Sequence, residues 1–185
     1  MKNQINIHIG EYRASSEPAV IRTVLGSCVA VCLFEPVNRV GGMNHILLPG
    51  RADMKHYDDS ARYGINAMEL LINRIMGVGG DRRRFVAKVF GGAHVLPVIS
   101  KENGTGEKNS SFALEFLKNE KIRVIKKDVG GTDTRKIYFH TDTGDVFLKR
   151  ISPIYQHQLA VREASESKRM RKIVHKPGRI ELFNE

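Results

Sequence analysis

Along the first half of the chain the apolar residues come in short runs rather than long stripes. Ile5 to Tyr12 alternates weakly and reads as a strand, followed by a polar loop over Ala14 to Pro18. Val29-Ala30-Val31-Cys32-Leu33-Phe34 is an unbroken apolar run, the pattern of a strand buried on both faces. Glu35-Pro36-Val37-Asn38 has turn chemistry, because Pro presets φ at the second turn position. Val40 to Leu48 is the returning strand, with Gly41-Gly42 as a candidate bulge and Pro49-Gly50 as its end. After a loop from Arg51 to Asp58 the period changes. Ala61, Ile65, Met68, Ile72 and Ile75 repeat at helical spacing, with Asp59 as the N-cap and Gly77 as the stop.

Phe85 to Phe90 then predicts a strand closed by Gly91-Gly92. A polar loop over Lys101 to Lys108 leads to Asn109, read as the cap of a shorter helix carrying Phe112, Ala113, Phe116 and Leu117. Ile122 to Ile125 is a strand and Gly130-Gly131 a turn. Lys136 to His140 and Val146 to Ile151 form a hairpin around Thr141-Asp142-Thr143-Gly144. Beyond Pro153 the pattern weakens, and the segment from about Glu163 reads as helical or disordered. No repeat or linker interrupts the chain, so the reading is one domain over residues 1–160 and a basic C-terminal tail over 161–185.

Composition narrows the class. The chain has 185 residues, enough for one domain with a real core. No apolar run approaches the ~20 residues that span a bilayer, and the N-terminus lacks a secretory apolar segment. Two cysteines make no disulfide framework, which points to a reducing cytoplasm. The formal charge is +10, much of it in Arg82-Arg83-Arg84 and in the run from Lys168 to Lys172. Such charge invites an acidic partner. Without interleaved aromatics or a nucleic-acid motif, the reading is a solvated face plus a frayed terminus rather than a nucleic-acid site.

One position does not fit a purely structural account. Cys28 stands where Leu25-Gly26-Ser27 runs into the apolar strand, at its mouth rather than inside it. A turn centred between Pro36 and Val37 pairs Phe34 with Arg39 and Cys28 with His45. Directly opposed residues share a face, with Cβ atoms ~4.5–5.5 Å apart. An imidazole beside a thiol lowers its pKa from ~8.5 and then donates a proton to a leaving group. A Cys28 so activated should alkylate well below that pH. Gly26 and Ser27 are small, and backbone N–H groups at the junction could stabilise an oxyanion. Against this, a lone cysteine is as a rule a small buried hydrophobe. Cys32 is such a residue. It lies ~13 Å along the strand from Cys28, too far for a shared zinc ion or a disulfide. No cysteine is placed opposite His8, His56, His94, His140, His157 or His175.

Taken together, LGSCVAVCLFEP and GGMNHILLP, with Tyr63 and the long helix, KVFGGA at 88–93, the Gly106 to Asn109 segment and DVGGTDTRKIYFHTDTGDVFLK at 128–149, resemble the chemoreceptor glutamine deamidases of the CheD family. The resemblance covers roughly residues 5 to 155. It implies an α/β sandwich of packed mixed β-sheets with helices on one outer side. It implies an amidohydrolase that converts receptor glutamines to glutamate through a Cys, a His and a Thr, here Cys28, His45 and Thr23. Gly26, Ser27 and Asn44 are the substrate-binding candidates, and no metal or cofactor is expected. The implied partners are the cytoplasmic domains of chemotaxis receptors and a CheC-type phosphatase, in the cytoplasm, with no nucleic acid and no membrane insertion. The rival reading is a catalytically weak adaptor that docks on receptors or on that phosphatase.

Overall fold

A computed structural model describes residues 2–50, 52–94, 104–151 and 153–174. Among the described residues nine strands form two mixed sheets. The first has four strands in the order β1 (Asn3–Asn6), β3 (Ala19–Leu25), β8 (Arg135–His140) and β9 (Val146–Arg150). The second has five, in the order β2 (Tyr12–Ser15), β5 (Val40–Asn44), β4 (Val29–Glu35), β6 (Val86–Gly91) and β7 (Arg123–Val129). The β1–β3 and β6–β7 pairs are parallel and the rest antiparallel.

Burial explains why β4 reads as an unbroken apolar run. Its side chains alternate between two cores. Val29, Val31 and Leu33 join Met68, Leu71, Ile72, Ile75, Phe112 and Phe116 beneath α1 (Asp59–Gly77) and α2 (Thr105–Asn119). Cys28, Ala30 and Cys32 face the other sheet and pack with Ile21, Leu25, Ile137 and Phe139. α1 and α2 therefore cover one outer face of a two-sheet sandwich, the expected architecture.

The expected bulge at Gly41-Gly42 is absent, because the β4–β5 register runs unbroken from Glu35↔Val40 to Cys32↔Met43. The glycines serve close approach instead. A Cβ on Gly41 would stand 2.7 Å from the Thr141 carbonyl oxygen, and one on Gly42 2.8 Å from that of Arg13. Asp58, one residue before the expected cap, receives the Ala61 N–H at 2.7 Å. Helix α2 begins at Thr105 rather than at Asn109, so part of the expected 101–108 loop is helix and residues 101–103 lie outside those described.

Of the two readings of the C-terminal segment, helical or disordered, residues 153–174 take the helical one. α3 (Pro153–Val174) runs through the boundary drawn at residue 160, and Glu163 and Met170, beyond it, are buried. The Arg82–Arg84 run lies at the surface and is spent on ion pairs within the chain. Arg82 pairs with Glu69 and Glu120, Arg83 with Asp81, and Arg84 with Asp81 and the fully buried Glu35. Among the described residues no helix is long and apolar enough to cross a membrane.

Candidate active site

The loop Gly26–Cys28 is held by its carbonyl groups. Ala93 N–H donates to Gly26 O and Gly92 N–H to Cys28 O, each at 2.8 Å. The Asn109 side-chain amide donates to Ser27 O, also at 2.8 Å. With the carbonyls turned one way, the N–H groups turn the other. Those of Gly26, Ser27 and Cys28 converge on one point, a concave anion-binding nest at a strand mouth. Gly91 and Gly92 make this possible. Both have positive φ, and a Cβ on Gly91 would stand 2.2 Å from Cys28 O, inside the atom it must pass.

His45 approaches from the end of β5. Its backbone leaves the β4 ladder and pairs with the β1–β2 connection: His45 N–H donates to Glu11 O at 3.0 Å and Gly10 N–H to His45 O at 2.8 Å. Its ring turns into the space between the sheets, where Nδ1 lies 2.8 Å from Thr23 Oγ1. Proton accounting fixes the tautomer. Thr23 has one hydroxyl proton, which it donates to the Ile7 carbonyl at 2.8 Å. The hydroxyl oxygen must therefore accept from Nδ1–H. Nε2 is left with the lone pair, buried and without a hydrogen-bond partner among the described residues. Burial, with the His8 and Arg162 charges, pushes the imidazole pKa down to about 3. A cavity of about 190 Å³ lies beside it, lined by Ile7, His8, Thr23, Leu159 and Arg162 among others.

The structure thus brings Thr23 and His45 into contact and places Cys28 on the same inter-sheet side. It corrects the pairing by which Cys28 was put opposite His45. The four-residue connection Pro36–Arg39 displaces the register by two, and the isolated bridge Val29↔Ile46 continues that register past the ladder's end. Cys28 lies level with Leu47, and His45 with Ala30. A slip of two preserves the face, which is why the two residues still share one. No hydrogen bond joins the thiol to the ring in this conformation.

Cys28 is fully buried, and its pKa is raised rather than lowered. Burial is the first cause, followed by the charge and hydrogen bond of Glu163. Asn44 is committed elsewhere. Its Oδ1 accepts Val31 N–H at 3.0 Å, in place of the ladder bond lost where His45 turns away, and its amide points at α1. It is a strut of the strand end.

Two site residues escape sequence reasoning. Asn109 accepts Leu48 N–H at 2.9 Å while holding Ser27 O, so it ties both sides of the site to α2. Glu163, from α3, fills the nest. Its carboxylate accepts Gly26 N–H at 3.0 Å, Ser27 N–H at 2.8 Å, Ser27 Oγ–H at 2.5 Å and Cys28 N–H at 3.5 Å. No sequence signal marks either contact.

Fold and site define a two-sheet α/β protein with a cysteine set in a backbone anion nest and a Thr–His pair beside it. Residues 47–150 match the family model described as CheD chemotactic sensory transduction, a span that begins just past His45. A protein of Shewanella oneidensis named probable chemoreceptor glutamine deamidase CheD 1 is 42% identical over 186 residues, covering 100% of this chain and 89% of that protein. Proteins of Methylobacillus flagellatus and Dechloromonas aromatica bearing that description are 42% and 41% identical over 94% of this chain and 86% of their own lengths. The chain belongs to the CheD family, as its LGSCVAVC and GGMNH segments lead one to expect.

Proposed function

We propose that this protein hydrolyses glutamine side chains of chemotaxis receptors to glutamate, through a thioester on Cys28. The observation that carries the reading is the convergence of the Gly26, Ser27 and Cys28 N–H groups at the cysteine, beside an imidazole whose free nitrogen is fixed by Thr23. The names of the relatives supply the substrate class.

In this reading His45 Nε2 takes the Cys28 thiol proton as sulfur attacks the glutamine δ-carbon. The oxyanion that forms lies in the nest, where aligned N–H groups favour developing negative charge. His45 returns the proton to the leaving nitrogen and ammonia departs. Water, deprotonated by His45, then opens the thioester to glutamate and restores the thiol. Thr23 keeps the proton on Nδ1 and so keeps Nε2 available. The partners are the cytoplasmic helices of receptors, with a CheC-type phosphatase as a regulator, and the compartment is the cytoplasm. The adaptor reading draws support from the burial of Cys28.

Ammonia release and peptide mass spectrometry with purified receptor fragments separate the two. Cys28→Ala should lower turnover by about 10⁴-fold or more. His45→Ala should cost about 10²–10⁴-fold with receptor binding retained. Thr23→Val, which removes only the group that holds the ring, should cost about 10–100-fold. Unchanged ammonia release in Cys28→Ala would remove the covalent mechanism. Receptor capture without ammonia from the wild type would establish the adaptor.

A further inference from the structure

Glu163 is an odd residue to find buried. Among the described residues no Lys, Arg or His forms an ion pair with it, although a buried carboxylate is ordinarily paired with a cation. Its charge is met instead by backbone N–H groups and a hydroxyl, the ligands an oxyanion would have. Its negative charge also lies close enough to the Cys28 thiol to help raise the thiol pKa. The approach needs Gly26: a Cβ there would stand 2.9 Å from Glu163 Oε1 and 3.2 Å from Leu159 Cδ2 of the same helix. α3 thus lies directly over the nest.

The chemistry of the side chain completes the argument. If glutamine is the substrate, glutamate is the product, and the product carboxylate must leave from this nest beside this sulfur. Glu163 is a glutamate on a helix, with its carboxylate there.

We propose that α3 is a built-in blocking helix, with Glu163 standing as a tethered product that must leave the nest before a receptor glutamine can enter. This rests on the deamidase reading and adds its regulation. The state of the site agrees. With α3 seated, Cys28 is a buried neutral thiol beside the Glu163 carboxylate, with no hydrogen bond to His45 Nε2 to draw off its proton, so the sulfur is not activated. Among the described residues, Leu159 and Arg162 line the cavity beside His45. Met170 enters the inter-sheet cluster, and Arg171 Nε donates to Pro49 O. A receptor helix therefore competes with a segment that can lift away while the sandwich stays folded.

The decisive experiment uses the full chain with Glu163→Gln, which turns the tethered product into a tethered substrate. Sulfur of Cys28 bonds to the introduced δ-carbon, the C–N bond breaks, and ammonia leaves with the thiol proton. Water then cleaves the thioester. Mass spectrometry at position 163 should show either a gain of about one dalton or the ammonia-free thioester. Cys28→Ala in the same background should keep the amide.

Glu163→Ala should raise iodoacetamide labelling of Cys28 by at least ~10-fold and raise receptor deamidation with it. An intact amide at 163, in a chain that still deamidates receptor fragments, overturns the proposal and leaves the deamidase standing. So does a Glu163→Ala variant whose deamidation falls while Cys28 labelling is unchanged, since Glu163 would then serve the reaction. Faster labelling in Glu163→Ala, with no deamidation of receptor by any variant and no conversion at 163, sinks the deamidase reading and the tethered product together.

Discussion

α1 and α3 are both long helices, of 19 and 22 residues, and they are held by opposite means. α1 buries Ala61, Gly64, Met68, Leu71, Ile72 and Ile75 in one stripe and starts on an aspartate cap. α3 leaves Val161 58% and Ile173 61% exposed, while the glutamate between them is 3% exposed. One helix is fixed by apolar area, which no small ligand can replace. The other is fixed largely by an anion seated in a nest, which any better-placed anion can displace. A fold can thus keep its core rigid and its active site gated in one chain, by giving the two jobs to helices with different anchors.

The largest test of the contrast is on the α1 side. Leu71 is fully buried between α1 and the five-stranded sheet. Leu71→Ala should lower unfolding free energy by about 2–5 kcal/mol, read from the denaturant midpoint. Cys28 labelling under native conditions should stay slow, because Leu71 belongs to the cluster beneath α1 while Glu163 and Met170 of α3 are seated at the nest and the inter-sheet cluster. A small stability loss with fast labelling would mean the two helices are not independent.

A second test uses pH. His45 has its pKa pushed down to about 3 by burial and by the His8 and Arg162 charges, against 6.5 in an unfolded chain. Between those values the unfolded chain takes a proton that the folded chain refuses. Stability is therefore complete above pH 6.5 and is lost as pH falls toward 3. The slope is up to about 1.4 kcal/mol per pH unit. Measured from pH 6.5 down to 4.5, before most carboxylates titrate, the slope should shrink in His45→Gln. It should shrink partly in Glu163→Ala, where a loosened α3 admits water to the ring. An unchanged slope in both variants would show that His45 is not the group being refused a proton.

How legible each region was follows from the same physics. β4, α1 and the β8–β9 hairpin announce themselves because their patterns are local: an apolar run, a helical stripe, a turn. β3 does not, although Thr23 lies in it. It sits between a polar loop and the Gly26 loop, and its partners β1 and β8 are a parallel neighbour and a strand more than a hundred residues away. Thr23 was reachable only through the family resemblance. Asn109 has the chemistry of a helix cap, and its use as a strut between Leu48 and Ser27 depends on a tertiary approach no spacing encodes. The register error at Cys28 came from assuming the tightest symmetric turn. It was harmless to the face because strands repeat every two residues. A helix was one of two readings for α3, but its seat was unreadable because the partners of Glu163 lie 135 to 137 positions earlier.

The smallest effect sharpens the contrast furthest. Met170 is the buried apolar residue of α3 among the described residues, 6% exposed at the rim of the inter-sheet cluster. Truncating a buried methionine in a rigid core costs about 2–5 kcal/mol. Here there is an escape: if α3 lifts away as a unit, the loss cannot exceed the free energy with which it docks. Met170→Ala should therefore lower global stability by only about 1 kcal/mol, while amides of α3 lose hydrogen-exchange protection and those of α1 keep theirs. Cys28 should label faster in step with that lost protection, since one opening exposes both. If instead protection falls equally in α1 and α3, the two helices belong to one cooperative unit, and a blocking helix that leaves alone is not available to this fold.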